Sequence, residues 1–529
     1  MISGNLPSGG REHEETRDSV QHLLLYRRLQ PLYEYYRDEL PSAGPAKLGA
    51  DMRDHLLEHI RSLAVLCRID RCGGEFWYEV FTLCYQLLAR SRVTEALEIA
   101  HRFADQVDEV LASSLSFGSR LCIYDMFKHL FFMAGKDFVE YRPFDEGVVK
   151  PYSVWLRTLA GPAANGSTRG RLDRGRRLRI GYLCNYAVMM APGRPAAPLF
   201  ISMILDHQAH VEHDCIVYAV GACDPAWRDV LKDRGIAVVS LTSPDYPAGG
   251  DRDFLRALAV VRNDALDVLL TDDNMAMPAY LFAHRVAPVQ TYVAMGMPFW
   301  GLADLDYIII GSNSLDASPD LPAERKISGR YGYDPMLLDK AGDPKAIVAA
   351  RQDIPSTHRI GGTFTRFVRI TPEFLGVLGR ILDANPNFTM IIAGNGDPGR
   401  IGEFIAQCPH SDRIRFFDHD VDIFIYGRII DFLIDTPIRS GNICREMLYF
   451  GKPVVSLHNA AFAQYLAELR DHELVAADLD DYVRIASRLI QEPDYLHARS
   501  AAAREIGSGD TRSGNHAALL RELIARATA

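Results

Sequence analysis

The chain has 529 residues, 48% of them apolar and 24% charged, the balance of a globular protein long enough for about three domains. Its formal net charge of −10 argues against a general nucleic-acid binder, and no apolar run is long enough to span a bilayer. Nine cysteines are scattered with neither CxxC nor paired zinc spacing, and the N-terminus MISGNLPSGGREHEETRD lacks the apolar core of a signal peptide, so reduced thiols and a cytoplasmic protein are expected.

Residues 1–18 are polar and Gly-rich and are expected to be disordered. From Val20 to about Leu159, stretches such as HLLLYRRLQPLYEYYRDEL, EFWYEVFTLCYQLLAR and VTEALEIAHRFADQVDEVLASSL carry apolar residues three and four apart. That spacing predicts helices, and no strand alternation interrupts it. Residues 1–159 are therefore read as an all-helical domain, without a clean repeat. Residues 160–177, AGPAANGSTRGRLDRGRR, are small, Gly-rich and basic and read as a linker.

At Leu178 the pattern changes. RLRIGYLCN, Cys215–Val220, Ala237–Leu241 and Val268–Thr271 read as strands, separated by the helical stretches PLFISMILDHQ, PAWRDVLKDRG and DFLRALAVVRND. VAPVQTYVAMG and LDYIIIGS supply two more strands. This rhythm predicts a parallel sheet with helices on both faces over 178–345. A second alternation fills 346–529, with strands RIGGTFTRF, FTMIIAG, DRIRFF, Phe432–Ile434 and one opened by Val454 and Val455, then closing helices. The fold class is α/β: two doubly wound, Rossmann-like lobes behind a helical domain. Ligands of such sheets bind beyond the carboxyl ends of the strands.

The richest stretch is FLIDTPIRSGNICREMLYFGKPVVSL, Phe432 to Leu457. It reads as strand, loop, helix and strand, with Gly451 ending the helix and Pro453 preventing its continuation. A helix starting near Ser440, Gly441 and Asn442 offers free backbone N–H groups and the positive end of its dipole to an anion. Arg439 adds a cation, and Glu446, one turn in, can accept hydrogen bonds from a ribose diol. An ordinary capped junction would use the same residues. In TFTRFVRIT, Arg366 and Arg369 follow a strand and suit a diphosphate. GNGDPG is a Gly-rich loop after the next strand, and His419 in FFDHD follows another, where it can stack on a base. Each signal is weak alone, but all follow successive strands of one lobe and so share one rim. In the first lobe, Asn185, Tyr186 and Arg194 follow the first strand, with no GxGxxG. Asp272 and Asp273 of TDDNMAM stand where a general base could, or where acids would cap a helix.

From Leu178 onward the chain resembles glycosyltransferase family 41, which holds the O-linked N-acetylglucosamine transferases and the bacterial cytoplasmic adhesin N-glucosyltransferases. The segments that carry the resemblance are RLRIGYLCN, RVAPVQTYVAMGMPFWGLADLDYII, FTRFVRITPEFL and DTPIRSGNICREMLYFGKPVV. The resemblance implies a GT-B architecture and an inverting, metal-independent transfer of a hexose from a UDP-sugar to a protein side chain. Asparagine is favoured because the helical N-terminal domain is closer to the adhesin-modifying branch. It places Arg369 where the family has its phosphate-binding lysine and Glu446 at the ribose-binding acid. Arg366 and Ser440–Asn442 then assist at the diphosphate, and His419 lies near the base. Asp272 or Asp273 serves as base or orients the acceptor, and the UDP-sugar is a substrate, with no other cofactor. The chain departs from the family in three places: Met297 stands where the adhesin branch has histidine, the donor loop is shorter, and lysine has become Arg369. A transferase acting on a glycan, lipid or small molecule, and an inactive two-lobed binding partner, share this architecture.

Overall fold

The computed structural model describes residues 107–528 apart from 114, 135–143, 162–171, 173–175, 185–198, 209–211, 222–224, 243–249, 274, 295–303, 312–321, 330–343, 395–397, 438–441, 459–468 and 511–514. The expected disordered leader and the helical stretches up to residue 106 lie outside the described residues. The chain divides into two compact units, Met1–Ala134 and Gly135–Ala529. In the first, the helices Val107–Ala112 and Phe117–Ala134 bury Val110, Leu121, Ile123 and Tyr124, and Arg120 ties their junction by donating to the Ser113 carbonyl at 2.6 Å.

The second unit holds both sheets. β1 (Arg179–Cys184), β2 (Asp214–Ala219), β3 (Ala237–Ser240), β4 (Val268–Thr271), β5 (Val289–Ala294), β6 (Tyr307–Gly311) and β7 (Lys326–Gly329) form a seven-stranded sheet in the order β3-β2-β1-β4-β5-β6-β7. β8 (Arg359–Phe364), β9 (Phe388–Ala393), β10 (Ile414–Phe417), β11 (Phe432–Ile434), β12 (Val454–Leu457) and β13 (Val475–Ala476) form a six-stranded one in the order β10-β9-β8-β11-β12-β13. Every pairing is parallel. Helices on both faces explain why β5 and β9 are buried at every residue, where a one-sided sheet would alternate. The two doubly wound lobes read from the sequence are therefore present. The short edge strands β7 and β13 leave no mark in the sequence, because four and two residues carry too little period.

In each sheet the winding reverses once. β1 is followed by β2 and β3 on one side, while β4 onward is laid on the other. Likewise β8, β9 and β10 run one way, and β11, β12 and β13 the other. The connections after β1 and β4, and those after β8 and β11, therefore part and leave a crevice at the strand ends.

The last helix, Asn515–Thr528, leaves the second lobe and packs on the first, against β7 and the helix Leu199–Gln208. Asp206 accepts from the His516 and Ala517 N–H groups at 2.8 and 3.1 Å, so a carboxylate of the first lobe caps this helix. In the segment read as a linker, the described arginines are tied down: Arg176 pairs with Asp267, and Arg177 with Asp214 at 2.6 Å. Among the described residues no helix is long and apolar enough to cross a membrane.

Candidate active site

The second lobe's switch point lies between β8 and β11. Phe432 and Leu433 of β11 sit opposite Gly361 and Gly362 of β8, and the Thr363 hydroxyl donates to the Ile434 carbonyl at 2.8 Å. Two chain segments thus leave the sheet side by side, about 4.8 Å apart. One carries Arg366 and Arg369, and the other begins Asp435–Thr436–Pro437.

The segment after β8 is shorter in extension than its sequence suggests. The strand ends at Phe364, and Phe367–Arg369 form one 3-10 turn closed by Arg369 N–H to Arg366 O and Ile370 N–H to Phe367 O, both 3.0 Å. Thr371 then caps the helix Pro372–Ala384, its hydroxyl accepting from Phe374 N–H at 3.3 Å, with Pro372 pre-set for the first turn. Both arginines are half-buried. The Thr365 hydroxyl beside them is buried and has no hydrogen-bond partner among the described residues. Gly394, read as part of a Gly-rich loop, matters for packing, because an added Cβ would overlap the Thr365 carbonyl oxygen. Only glycine lets the chain leaving β9 pass so close to the turn that holds Arg366.

Beyond β11, Asp435 and Thr436 are buried, and residues 438–441 lie outside the described residues, Arg439, Ser440 and Gly441 among them. The helix starts at Asn442 and runs to Tyr449. Its end follows the sequence closely. Gly451 adopts φ +70°, its N–H reaches Leu448 O at 2.9 Å, and Lys452 N–H reaches Met447 O at 2.8 Å. That paired closure is the helix stop a Gly two residues before Pro453 implies. Glu446 lies on the inner face, 2% exposed, beside buried Met447 and Leu448. A carboxyl this buried near a helix start has been placed there at a desolvation cost, which suits a defined partner better than a solvated face.

His419 is exposed, 3.1 Å from Asp418 and edge-on to Phe417. It follows the edge strand β10, two strands from β8, so it stands at the margin of the same rim.

The first lobe's switch point receives Asp272 and Asp273 after β4, and the structure separates them. Asp273 is buried and its Oδ1 accepts from Met275 N–H at 3.1 Å, while Thr271 Oγ1 donates to the Asp273 carbonyl at 3.1 Å. Asp273 thus builds the turn into the helix Ala276–Ala283. Asp272 is half-buried, and burial followed by the Asp273 charge pushes its carboxyl up to about 8. A carboxyl in that range takes a proton far more readily than an ordinary aspartate. Asn185, Tyr186, Arg194 and Met297 lie outside the described residues.

The RVAPVQ…LDY segment does something else. Arg285, at the amino end of β5, pairs with Asp306 at 2.6 Å and donates to Asp304 O at 2.8 Å. Gln290 Nε2 donates to Phe282 O at 2.9 Å and Asp304 O at 3.0 Å, and its Oε1 accepts from Val286 N–H at 3.0 Å. Apart from Arg285 Nε, these groups are paired inside the protein, at the opposite end of the sheet from the crevice. Among the described residues no group of His, Cys, Asp and Glu is placed to hold a metal ion.

No family model matches the chain. Among curated proteins it is similar to the probable UDP-N-acetylglucosamine–peptide N-acetylglucosaminyltransferase SPINDLY of Arabidopsis thaliana, 24% identical over 341 residues. That alignment covers 59% of this chain and 35% of the relative, so the chain spans about a third of that protein's length. Among solved structures it is similar to a mutant O-GlcNAc transferase of Thermobaculum terrenum, with TM-score 0.53 and 20% identity over 90% of this chain and 98% of that one. It is also similar to Anabaena HepE in complex with UDP-glucose, with TM-score 0.50 and 15% identity over 66% of this chain and 100% of that one. The fold is GT-B. The resemblance to family 41 stands on the SPINDLY alignment together with the motifs. In GT-B terms, β8 to β13 form the second lobe, and Arg366, Arg369 and the helix Asn442–Tyr449 follow the two strands at its switch point.

Proposed function

We propose that this chain is an inverting, metal-independent glycosyltransferase that moves a hexose from a UDP-sugar to a protein side chain, asparagine first and serine or threonine second. The observation that carries the proposal is the meeting at one switch point of Arg366, Arg369 and the helix that carries Glu446. The diphosphate lies against the arginines and the amides of Ser440–Asn442. Glu446 holds the ribose diol, and His419 closes the base side. As the sugar–phosphate bond breaks, negative charge grows on the leaving diphosphate. Fixed cations and helix amides stabilise that charge more than they stabilise the ground state. Asp272 removes the proton of the acceptor, since Asp273 is committed to its turn. Residues 1–159 hold the acceptor protein, 160–177 link them to the lobes 178–345 and 346–529, and the reaction takes place in the cytoplasm.

The test is mass spectrometry of proteins co-expressed with and without the chain. A hexose-sized addition on asparagine, undiminished when EDTA is present during transfer by purified protein, supports the proposal. Hexose found only on a glycan, lipid or small molecule overturns the protein acceptor. Absence of UDP release from UDP-glucose, UDP-galactose and UDP-N-acetylglucosamine alike overturns the enzyme reading.

A further inference from the structure

Tyr482 belongs to neither loop of the switch point, yet it touches both sides. It lies on the helix Leu479–Gln491 with its side chain fully buried. Its hydroxyl is 2.6 Å from the Asp435 carbonyl and 2.7 Å from the Val455 carbonyl. The Asp435 N–H donates to the same Val455 oxygen at 3.0 Å, so the hydroxyl closes a ring across the ends of β11 and β12. Ser456 adds a second tie, its hydroxyl donating to Asp435 Oδ2 at 3.0 Å. The Cys444 thiol, in the first turn of the helix that carries Glu446, lies within electrostatic reach of the phenol. On its other side the Tyr482 ring stands edge-on to Phe374, centroids 6.2 Å apart at 88°. Phe374 is the residue whose N–H bonds the Thr371 cap, two residues after Arg369.

Both acceptors are carbonyls, so the phenol can only donate here. Burial, and after it the Asp435 charge, holds its pKa well above the ordinary tyrosine value, which keeps that proton in place throughout the working range. One side chain thus sets the start of the Asp435 loop by a hydrogen bond and the start of the post-Arg369 helix by ring packing. Electrostatic stabilisation works only if its groups are held in place before the charge develops.

We propose that Tyr482 is the positioning residue of the donor site, holding the segments that leave β8 and β11 in fixed relation to each other. The proposal rests on the donor reading for its consequence in binding, and not for the coupling itself.

Tyr482→Phe removes the hydroxyl and keeps the ring. Tyr495→Phe is the control: Tyr495 is also buried, and its hydroxyl bonds Glu473 O at 3.2 Å, at the amino end of β13 and away from the switch point. Hydrogen exchange is read at peptides covering Thr365–Thr371 and Phe432–Pro437, and UDP affinity by calorimetry. Tyr482→Phe is expected to speed exchange in both peptides and to weaken UDP about tenfold. Tyr495→Phe is expected to do neither. Unchanged exchange at Thr365–Thr371, or equal effects of the two variants, overturns the proposal. If the unmutated chain binds no UDP, the donor reading fails, and the exchange measurement still decides the coupling. Should Tyr482→Phe not fold, Phe374→Leu is read at Phe432–Pro437. Faster exchange there supports coupling through Tyr482, and unchanged exchange overturns it.

Discussion

Replacing Asp272 by asparagine separates what this carboxyl costs from what it does. The folded chain holds it at about 8, through burial first and Asp273 second. An unfolded chain titrates aspartate near ~3.9. Between those values the native state keeps a proton that the unfolded state has released, so stability falls as pH rises through the window and is level above it. The gap is about four pH units, and ~1.36 kcal/mol for each gives an upper bound on the order of 5 kcal/mol. Asp272 is half-buried, so solvent screening brings the expected cost to about 2 kcal/mol. Asparagine has no charge to lose. Its advantage over aspartate is therefore near zero at pH 4, grows steadily and is complete above pH 8. Activity runs the other way. With a pKa of about 8, roughly a tenth of the carboxyl is ionised at pH 7 and half at pH 8, so base-dependent turnover rises about fivefold between them. Asp272→Asn is expected to lower turnover at least ~100-fold and to abolish that rise. Urea unfolding at pH 5 and pH 8, and UDP release from UDP-glucose over the same range, measure both. A stability advantage that does not grow with pH refutes the buried-carboxyl reasoning, and an asparagine variant with the parent's turnover and pH profile refutes the base.

Arg369→Ala is expected to slow transfer by roughly a hundred- to thousand-fold, or ~3–4 kcal/mol, with little change in melting temperature. Arg369→Lys distinguishes a point charge from a bidentate fork: recovered turnover means charge suffices, and a folded alanine variant with full activity removes the residue from the mechanism. Glu446→Gln keeps the volume of a side chain that is 2% exposed, so the fold should persist while UDP affinity drops by about tenfold. Calorimetry with uridine and with UDP checks this, and equal affinity for parent and variant removes the ribose contact. Gly394→Ala places a methyl group on the Thr365 carbonyl oxygen and is expected to cost about 1–3 kcal/mol while weakening UDP, since the displaced turn carries Arg366. Full stability in urea would show that the two chain segments can part.

The sequence by itself determined the features that depend on neighbours along the chain. The apolar run Phe432–Ile434 at β11 announced a strand buried on both faces, because such a strand has no solvent side to mark. Thr371–Pro372 announced a helix start, and Gly451 with Pro453 a helix end, because caps are made by residues within one turn. Arg366, Arg369 and Glu446 could be nominated because successive strand ends of a doubly wound sheet fall on one rim. Only the tertiary structure decided the rest. Strand order, and so the place where the winding reverses, follows from which strands bury each other's faces, and local period does not encode that. Asp272 and Asp273 read alike as adjacent acids, and they differ because one meets the Met275 N–H and the other is enclosed without that bond. Gly394 reads from the sequence only as part of a Gly-rich loop, and its reason, the Thr365 backbone lying against it, is a contact between two strands' ends. The Arg285–Gln290–Asp306 cluster carried a family resemblance and turned out to be an internal network at the far end of its sheet. Tyr482 gave no signal, since one tyrosine on an amphipathic helix reads as core. Its role comes from two carbonyls and a phenyl ring brought to it from distant parts of the chain, and such long-range contacts are settled only when the whole lobe packs.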